Sequence, residues 1–241
     1  MRKATIAACM AFFLGVTAVH AADMTDLLKS LPAIPAGGAA QDSGTVASGL
    51  KEALSVGTKN AVGALSKKDG YFGNEAVKIL LPENVRRVGD ALRMAGYQKE
   101  VDAFILSMNR AAEKAAPKAA DIFAGAIREM SIDDAQKILN GGNTAATEYF
   151  KAKTSSKLFD AFKPDISQSM NEVGVTKAYK AMTDRYTAMM PFGKVESLDL
   201  DRYVTNQSLD GLFHMVGQEE TKIRTNPAAR TTELLRKVFA K

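Results

Sequence analysis

The sequence has one cysteine, Cys9, and two histidines, His20 and His214, in 241 residues. A cysteine-rich zinc module and an internal disulfide framework are both impossible with that inventory, and catalysis by a Cys/His pair is disfavoured. No run of Lys or Arg is longer than a pair such as Arg86-Arg87, and 32 basic against 27 acidic residues leave a formal charge of only +5. That charge gives no basic stripe of the kind nucleic acid requires, so nucleic acid is not an expected partner. Phosphate loops of the GxxxxGK[ST] type, GxGxxG turns, HExxH helices, GxSxG elbows and CxxC pairs are missing, and no cofactor or metal is implied. Alternating β-branched runs are missing as well, which removes the signal for a sheet.

What the chain does have is 46% hydrophobic content, ample for a folded core. It opens on Arg2-Lys3, an apolar stretch over 4–19, and Val19-His20-Ala21 as a cleavage sequence. This reads as a secretory signal peptide over 1–21, cut after Ala21 with Ala22 as the alternative. The apolar stretch falls short of the ~20 residues that span a bilayer, so no transmembrane span is expected after its removal. Ile6-Ala7-Ala8-Cys9 imitates a lipoprotein box, but the most apolar stretch follows Cys9 where a lipoprotein would have it before, which disfavours acylation there. Loss of Arg2, Lys3, Cys9 and His20 lowers the charge to +3 and leaves a chain without thiols and with His214 alone. A secreted domain without disulfides suits a bacterial periplasm.

Residues 22–44 are rich in Pro, Gly, Ala and Ser and read as a flexible tether before a helical domain over 45–241. Val46, Leu50, Leu54, Ala61 and Leu65 keep helical spacing up to Lys67-Lys68-Asp69-Gly70. Asn74 is placed to cap a short helix through Leu81, with Pro82 starting another that closes at Gly96. Val101, Phe104, Ile105, Met108, Ala112 and Ala115 form the clearest stripe, and Pro117 starts or kinks the helix after it. Ser131 followed by Asp134 reads as a cap for a helix that ends at Gly141-Gly142. Further helices are expected near 144–152, 155–172 with an interruption at Pro164, and 175–189. Pro191-Phe192-Gly193 marks a break, followed by helices near 199–206, 208–223 and 227–240, the last capped by Asn226 and carrying Leu234, Leu235, Val238 and Phe239. The expected fold is all-α, a single-domain bundle of about eight to ten short helices. No constant period supports a solenoid.

The phrases MNRAAEKAAPKAADIF (108–123), MSIDDAQKIL (130–139), YVTNQSLDGLF (203–213) and EETKIRTNPAARTTELLRKVF (219–239) resemble an uncharacterised bacterial family, the domain of unknown function numbered 4197. The resemblance runs from about Leu50 to the C-terminus. It implies an exported helical protein of Gram-negative bacteria and carries no catalytic residues over.

One polar position stands out. At about 100° per residue, Leu209, Leu212, Phe213, Val216 and Ile223 fall on one face of a helix and Glu220 falls among them, with Arg224 four residues on and placed to pair with it. Such a pair reads first as a structural tie, then as a ligand anchor or an acid/base group. A second stripe, Val175, Ala178, Tyr179, Met182, Tyr186 and Met189, suits a core face or an apolar-ligand groove. Asn109 and Glu113 flank the Val101 stripe and can join a polar network with Arg110. Asp199-Leu200-Asp201 starts like a calcium loop but lacks its Gly, and His214 points away from the apolar face. The leading expectation is therefore a non-enzymatic periplasmic module for an apolar, lipid-like ligand or an envelope protein, with Tyr179, Met182, Tyr186, Glu220, Arg224, Asn109 and Glu113 as candidate binding residues. The alternatives are a hydrolase that uses Glu220 with Tyr179 or Tyr186, or a purely structural envelope factor. The oligomeric state is left open.

Overall fold

A computed structural model describes residues 43–172, 174–190 and 199–230, together with Thr232 and Arg236. The described residues contain no strand; they form α1 (Ser43–Leu65), α2 (Glu83–Met94), α3 (Gln98–Ala115), α4 (Ala119–Glu129), α5 (Ile132–Asn140), α6 (Ala145–Glu172), α7 (Val175–Met189) and α8 (Leu200–Thr225). Two 3-10 turns, Ala116–Lys118 and Pro227–Ala229, complete the set. The all-α expectation holds. Residues 1–42, which carry the signal peptide and nearly all of the tether, lie outside the described residues, as do the Pro191-Phe192-Gly193 break and Leu234, Leu235, Val238 and Phe239.

Helix α3 runs through the middle of the bundle, with neighbours α2, α6, α7 and α8. Its side chains explain why: Phe104, Met108, Ala111, Ala112 and Ala115 are buried, and the run of small residues continues through Ala116 and Ala119, so other backbones approach closely. Phe123 of α4 then meets Phe150 of α6 edge-on, with ring centroids 5.1 Å apart, and Phe213 of α8 at 6.2 Å. These three rings lock α4, α6 and α8 into one core.

Several boundaries differ from the sequence expectation. The two helices expected over 144–172 are one helix of 28 residues that passes through Pro164. Phe150, Thr154, Leu158, Phe162, Ile166 and Met170 recur every fourth residue and are all buried, so one continuous face holds the helix together. Pro164 and Asp160 are exposed, and the carbonyl that loses its N–H partner faces water. The helices expected over 199–206 and 208–223 likewise merge into α8, where Thr205 and Ser208 donate their hydroxyls to the carbonyls of Asp201 and Val204. With α1 at 23 residues and α8 at 26, the bundle is built on long helices as well as short ones.

No helix forms over 74–81. Asn74 accepts a bond from the Ala76 N–H in a tight turn, and the chain then runs without helix to Pro82, which disfavours helical geometry in the residue before it. Pro82 itself is the N-cap of α2 rather than its first residue. Of the helix expected over 227–240, the described part is a 3-10 turn, Pro227–Ala229, capped by Asn226. Ser131 and Asp134 form the full reciprocal capping box that opens α5, as their spacing suggested.

Two glycines separate close packing from open surface. A Cβ at Gly211 would lie 2.8 Å from Cε1 of the buried Tyr71 ring and 3.2 Å from Val77 Cβ, whereas a Cβ at Gly63 meets nothing within 4 Å. Gly63→Ala is expected to raise stability by up to about 1 kcal/mol through helix propensity. Gly211→Ala is expected to lower it despite the same propensity gain, because the Tyr71 ring cannot move aside. Urea denaturation of both variants checks this, and equal effects would contradict the packing described.

Candidate functional site

The polar residues that the sequence singles out fall into two buried networks, and each holds backbone. Glu220 lies on the buried face of α8, and its carboxylate accepts the N–H groups of Ala146 and Thr147 at 2.9 Å each and the Thr147 hydroxyl at 2.8 Å. These N–H groups belong to the first turn of α6, where no intrahelical partner exists. Arg224, one turn on, pairs with Glu220 at 2.9 Å and donates to the carbonyls of Ile138 at 2.7 Å and Leu139 at 3.4 Å. Those carbonyls end α5. The anion therefore sits at the positive end of one helix and the cation at the negative end of another. Together they clamp the Gly141–Thr144 turn between α5 and α6.

The second network is on α3. The Asn109 side chain accepts the Ile79 N–H at 2.9 Å and donates to the Ile79 carbonyl at 2.8 Å, doing for the non-helical strand of chain before α2 what a neighbouring backbone would do. Glu113 accepts the N–H groups of Tyr71 and Phe72 at 3.2 Å each and pairs with Arg110 at 2.6 Å, which in turn reaches Asp69 at 2.6 Å. Asp69 has a positive φ of 65°, a turn conformation its short side chain tolerates. The network with Arg110 expected from the sequence is present, with Asn109 and Glu113 buried within the stripe rather than flanking it.

The tyrosine and methionine stripe of α7 lies elsewhere. Met182 is fully buried, Tyr179 packs on Phe104 with centroids 5.2 Å apart, and Tyr186 is half-buried against the same core. Burial raises the Tyr179 phenol above its ordinary range. The acid/base reading of Glu220 needs an open cleft shared with Tyr179 or Tyr186. Glu220 instead borders two voids of about 10 Å³, each lined mainly by α1 and α8, and its oxygens are occupied by the two N–H groups and the hydroxyl of α6 and by Nε and a terminal nitrogen of Arg224, at 3.0 and 2.9 Å. Asp199, the start of the calcium-like loop, accepts the Arg202 N–H as the α8 cap. No cluster of three metal-binding side chains exists among the described residues.

The open spaces are on α6. A groove of about 670 Å³ between α6 and α8 has Phe213 and Gly217 in its floor and Glu148, Lys151, His214 and Gln218 on its rim. It continues past Lys151, Asp210 and Phe213 into a second groove of about 700 Å³, which includes Ser155, Phe159 and Leu209. None of the seven residues chosen from sequence lines either groove. The signal that marks it is the coincidence of small residues, Gly217 on α8 and Ser155 and Ser156 on α6, on faces that only the folded chain brings together.

Two consequences of the networks are measurable. Glu220→Ala leaves the Arg224 guanidinium buried without its anion and three donors of α6 unpaired, and is expected to cost about 3–5 kcal/mol. Arg224→Met leaves Glu220 its three α6 donors and is expected to cost about 1–3 kcal/mol. Chemical denaturation gives the order, and an Arg224 variant as damaged as the Glu220 variant would refute it.

Tyr71 supplies a pH dependence. Its phenol is fully buried, donates to the Ser208 carbonyl at 2.7 Å, and is raised far above its ordinary value first by burial and then by the Glu113 charge. The folded state thus holds this proton more tightly than the unfolded state, so its contribution is complete below about pH 10 and declines as pH rises beyond it. Tyr71→Phe is expected to flatten the loss of stability above about pH 10 while costing about 1 kcal/mol at neutral pH for the lost hydrogen bond. Thermal unfolding from neutral to alkaline pH checks both parts.

A search of curated proteins and a search of solved structures each find no match to the chain. A family model does match, described as Protein of unknown function (DUF4197), over residues 40–240. That range takes in every described helix of the bundle and agrees with the resemblance carried by the four phrases. The chain belongs to this family of unknown function.

Proposed function

We propose that the chain is a non-enzymatic interaction module of the bacterial periplasm, and that the α6–α8 groove receives an amphipathic helix from an envelope protein. The observation that carries this reading is the groove itself: an apolar floor of Phe213, Leu209, Phe159 and Gly217, open along its length and bordered by charged residues. Along α6 it extends from Thr144 to Phe159, roughly 22 Å at ~1.5 Å per residue, the length of about four helical turns. An open trough of that length suits a helix laid in lengthwise better than an enclosed lipid chain. The rim offers both signs: Lys151 lies 3.8 Å from Glu148 and so is only loosely paired, and Asp210 has no ion pair or side-chain hydrogen bond among the described residues. A helix with apolar anchors on one face and both a basic and an acidic residue beside them would satisfy this rim.

The periplasmic part of the proposal rests on the signal peptide read over 1–21, the tether over 22–44 and the lack of thiols after residue 21. Among the described residues, no helix is long and apolar enough to cross a membrane. The reading is tested by a photo-crosslinking residue at Gln218 in the exported protein, compared with one at Met94, far along the chain on α2. A groove-dependent adduct with one envelope protein is expected at Gln218 only, and Gly217→Leu should abolish it. A Cβ at Gly217 meets Thr147 at 3.5 Å, an ordinary contact, and the variant counts only if its thermal unfolding stays close to that of the parent. Equal adducts at both positions, or adducts indifferent to Gly217→Leu, would overturn the proposal. The mass of the periplasmic protein should correspond to a chain starting at Ala22.

A further inference from the structure

Histidine is the side chain that ordinarily changes charge between about pH 5 and pH 8. After residue 21 the sequence has one, His214, and it stands on the rim of the α6–α8 groove. On the other flank of α6, a cleft of about 400 Å³ shared with α4 and α5 is bordered by Asp121, Gly125, Asp134 and Lys153, and no histidine lines it.

Asp210, His214 and Gln218 are each four residues apart on α8, so they form one row along the groove that all three line. Within this row the Gln218 amide nitrogen lies 2.9 Å from His214 Nε2. An amide nitrogen can only donate, so Nε2 is the acceptor. The ring that makes this bond is neutral and carries its proton on Nδ1. Asp210, one turn before it, makes no ion pair or side-chain hydrogen bond among the described residues. The other charges at the groove are Glu148 and Lys151 of α6, 3.8 Å apart, and Lys222 of α8, held by Glu219 at 2.6 Å. No helix besides α6 and α8 lines this space.

A second proton on the ring changes both ends of the row. Nε2 becomes a donor facing the amide hydrogens of Gln218, and that bond is lost. The imidazolium then has a carboxylate one turn away in Asp210, at the spacing where opposite charges pair along a helix. We propose that His214 is a proton switch on the α6–α8 groove: neutral, it leaves Asp210 open to a basic residue of the docked helix, and protonated, it takes Asp210 for itself and releases that helix. This inference rests on the reading of the groove as a helix-binding site and adds acidification as the signal that empties it. Proton and docked helix oppose each other, each weakening the binding of the other by the same factor.

Two measurements test the switch. In the chain from Ala22 onward the ring-nitrogen NMR signals of histidine belong to His214 alone. At about pH 8 they should place the proton on Nδ1, and a proton on Nε2 would overturn the proposal, because Gln218 would then already be the acceptor. The second measurement uses a photo-crosslinking residue at Thr221, which also lines the groove, in the exported protein. An adduct with an envelope protein is expected at about pH 7.5, and roughly 5-fold less of it at about pH 5.5. His214→Gln changes an exposed side chain and keeps the rim polar, and its yield should be the same at both pH values. An adduct that is unchanged or increased at the lower pH, or a pH response retained in His214→Gln, would overturn the switch and leave the groove reading standing. No adduct at either pH would overturn both.

Discussion

Helix termini leave backbone donors and acceptors without partners, and a bundle whose turns lie against its core must supply them from side chains. In this chain the supply comes from buried polar residues on the long helices. Glu220 takes the first N–H groups of α6, Arg224 the last carbonyls of α5, Asn109 both backbone groups of Ile79, and Glu113 the N–H groups of Tyr71 and Phe72. Each buried charge is matched by an opposite charge or a helix end, which is the condition under which burying it is tolerable. Among the described residues no buried side-chain nitrogen or oxygen lacks a partner. The position of α6 depends on this arrangement most directly, because its N-terminus is fixed by α8 through Glu220 and its second turn by the contact of Phe150 with Phe123.

Helix α6 is also the element that both open spaces share. Its buried stripe, from Phe150 to Met170, leaves two polar flanks: Glu148, Lys151 and Ser155 turn to α8, and Tyr149, Lys153 and Lys157 turn to α4. Gly217 opens the first space and Gly125 the second. In both cases a residue without a side chain lies on the helix opposite α6, so the depth of each groove is set by the partner helix and its chemistry largely by α6.

Glu220 and Arg224 were legible because a charged residue amid an apolar stripe has few tolerable explanations, and spacing alone identifies its partner. The α5 cap was legible for the same local reason, since Ser131 and Asp134 interact within one turn. The segment over 74–81 was not, because its geometry is decided by Asn109, which lies 30 residues away in sequence from Ile79. The continuity of α6 through Pro164 was obscured by a rule about isolated helices, where the loss of one hydrogen bond counts for more than it does beside a buried stripe of six residues. The grooves could not be read at all. They arise where polar flanks of helices distant in sequence meet, and polar flanks carry no periodic signal of burial.

This division between held backbone and open flank changes how loss of function should be interpreted in this family. Glu220 is the most conspicuous carboxylate in the sequence, and a variant there would be expected to disable almost any activity. Yet its oxygens are consumed by α6 and Arg224, and its removal would shift the α6 N-terminus, which helps form the α6–α8 groove at Thr144 and Thr147. Such a variant would therefore displace the groove, and the binding proposed there would be lost without Glu220 ever touching a partner. Substitutions at Lys151, Asp210, Lys153 or Asp121 differ in kind: these side chains are exposed, and changing them alters what the grooves present while leaving the core as it is. A functional map of the chain should begin with the exposed charges on the two flanks of α6 and treat the buried ones as the frame that holds those flanks in place.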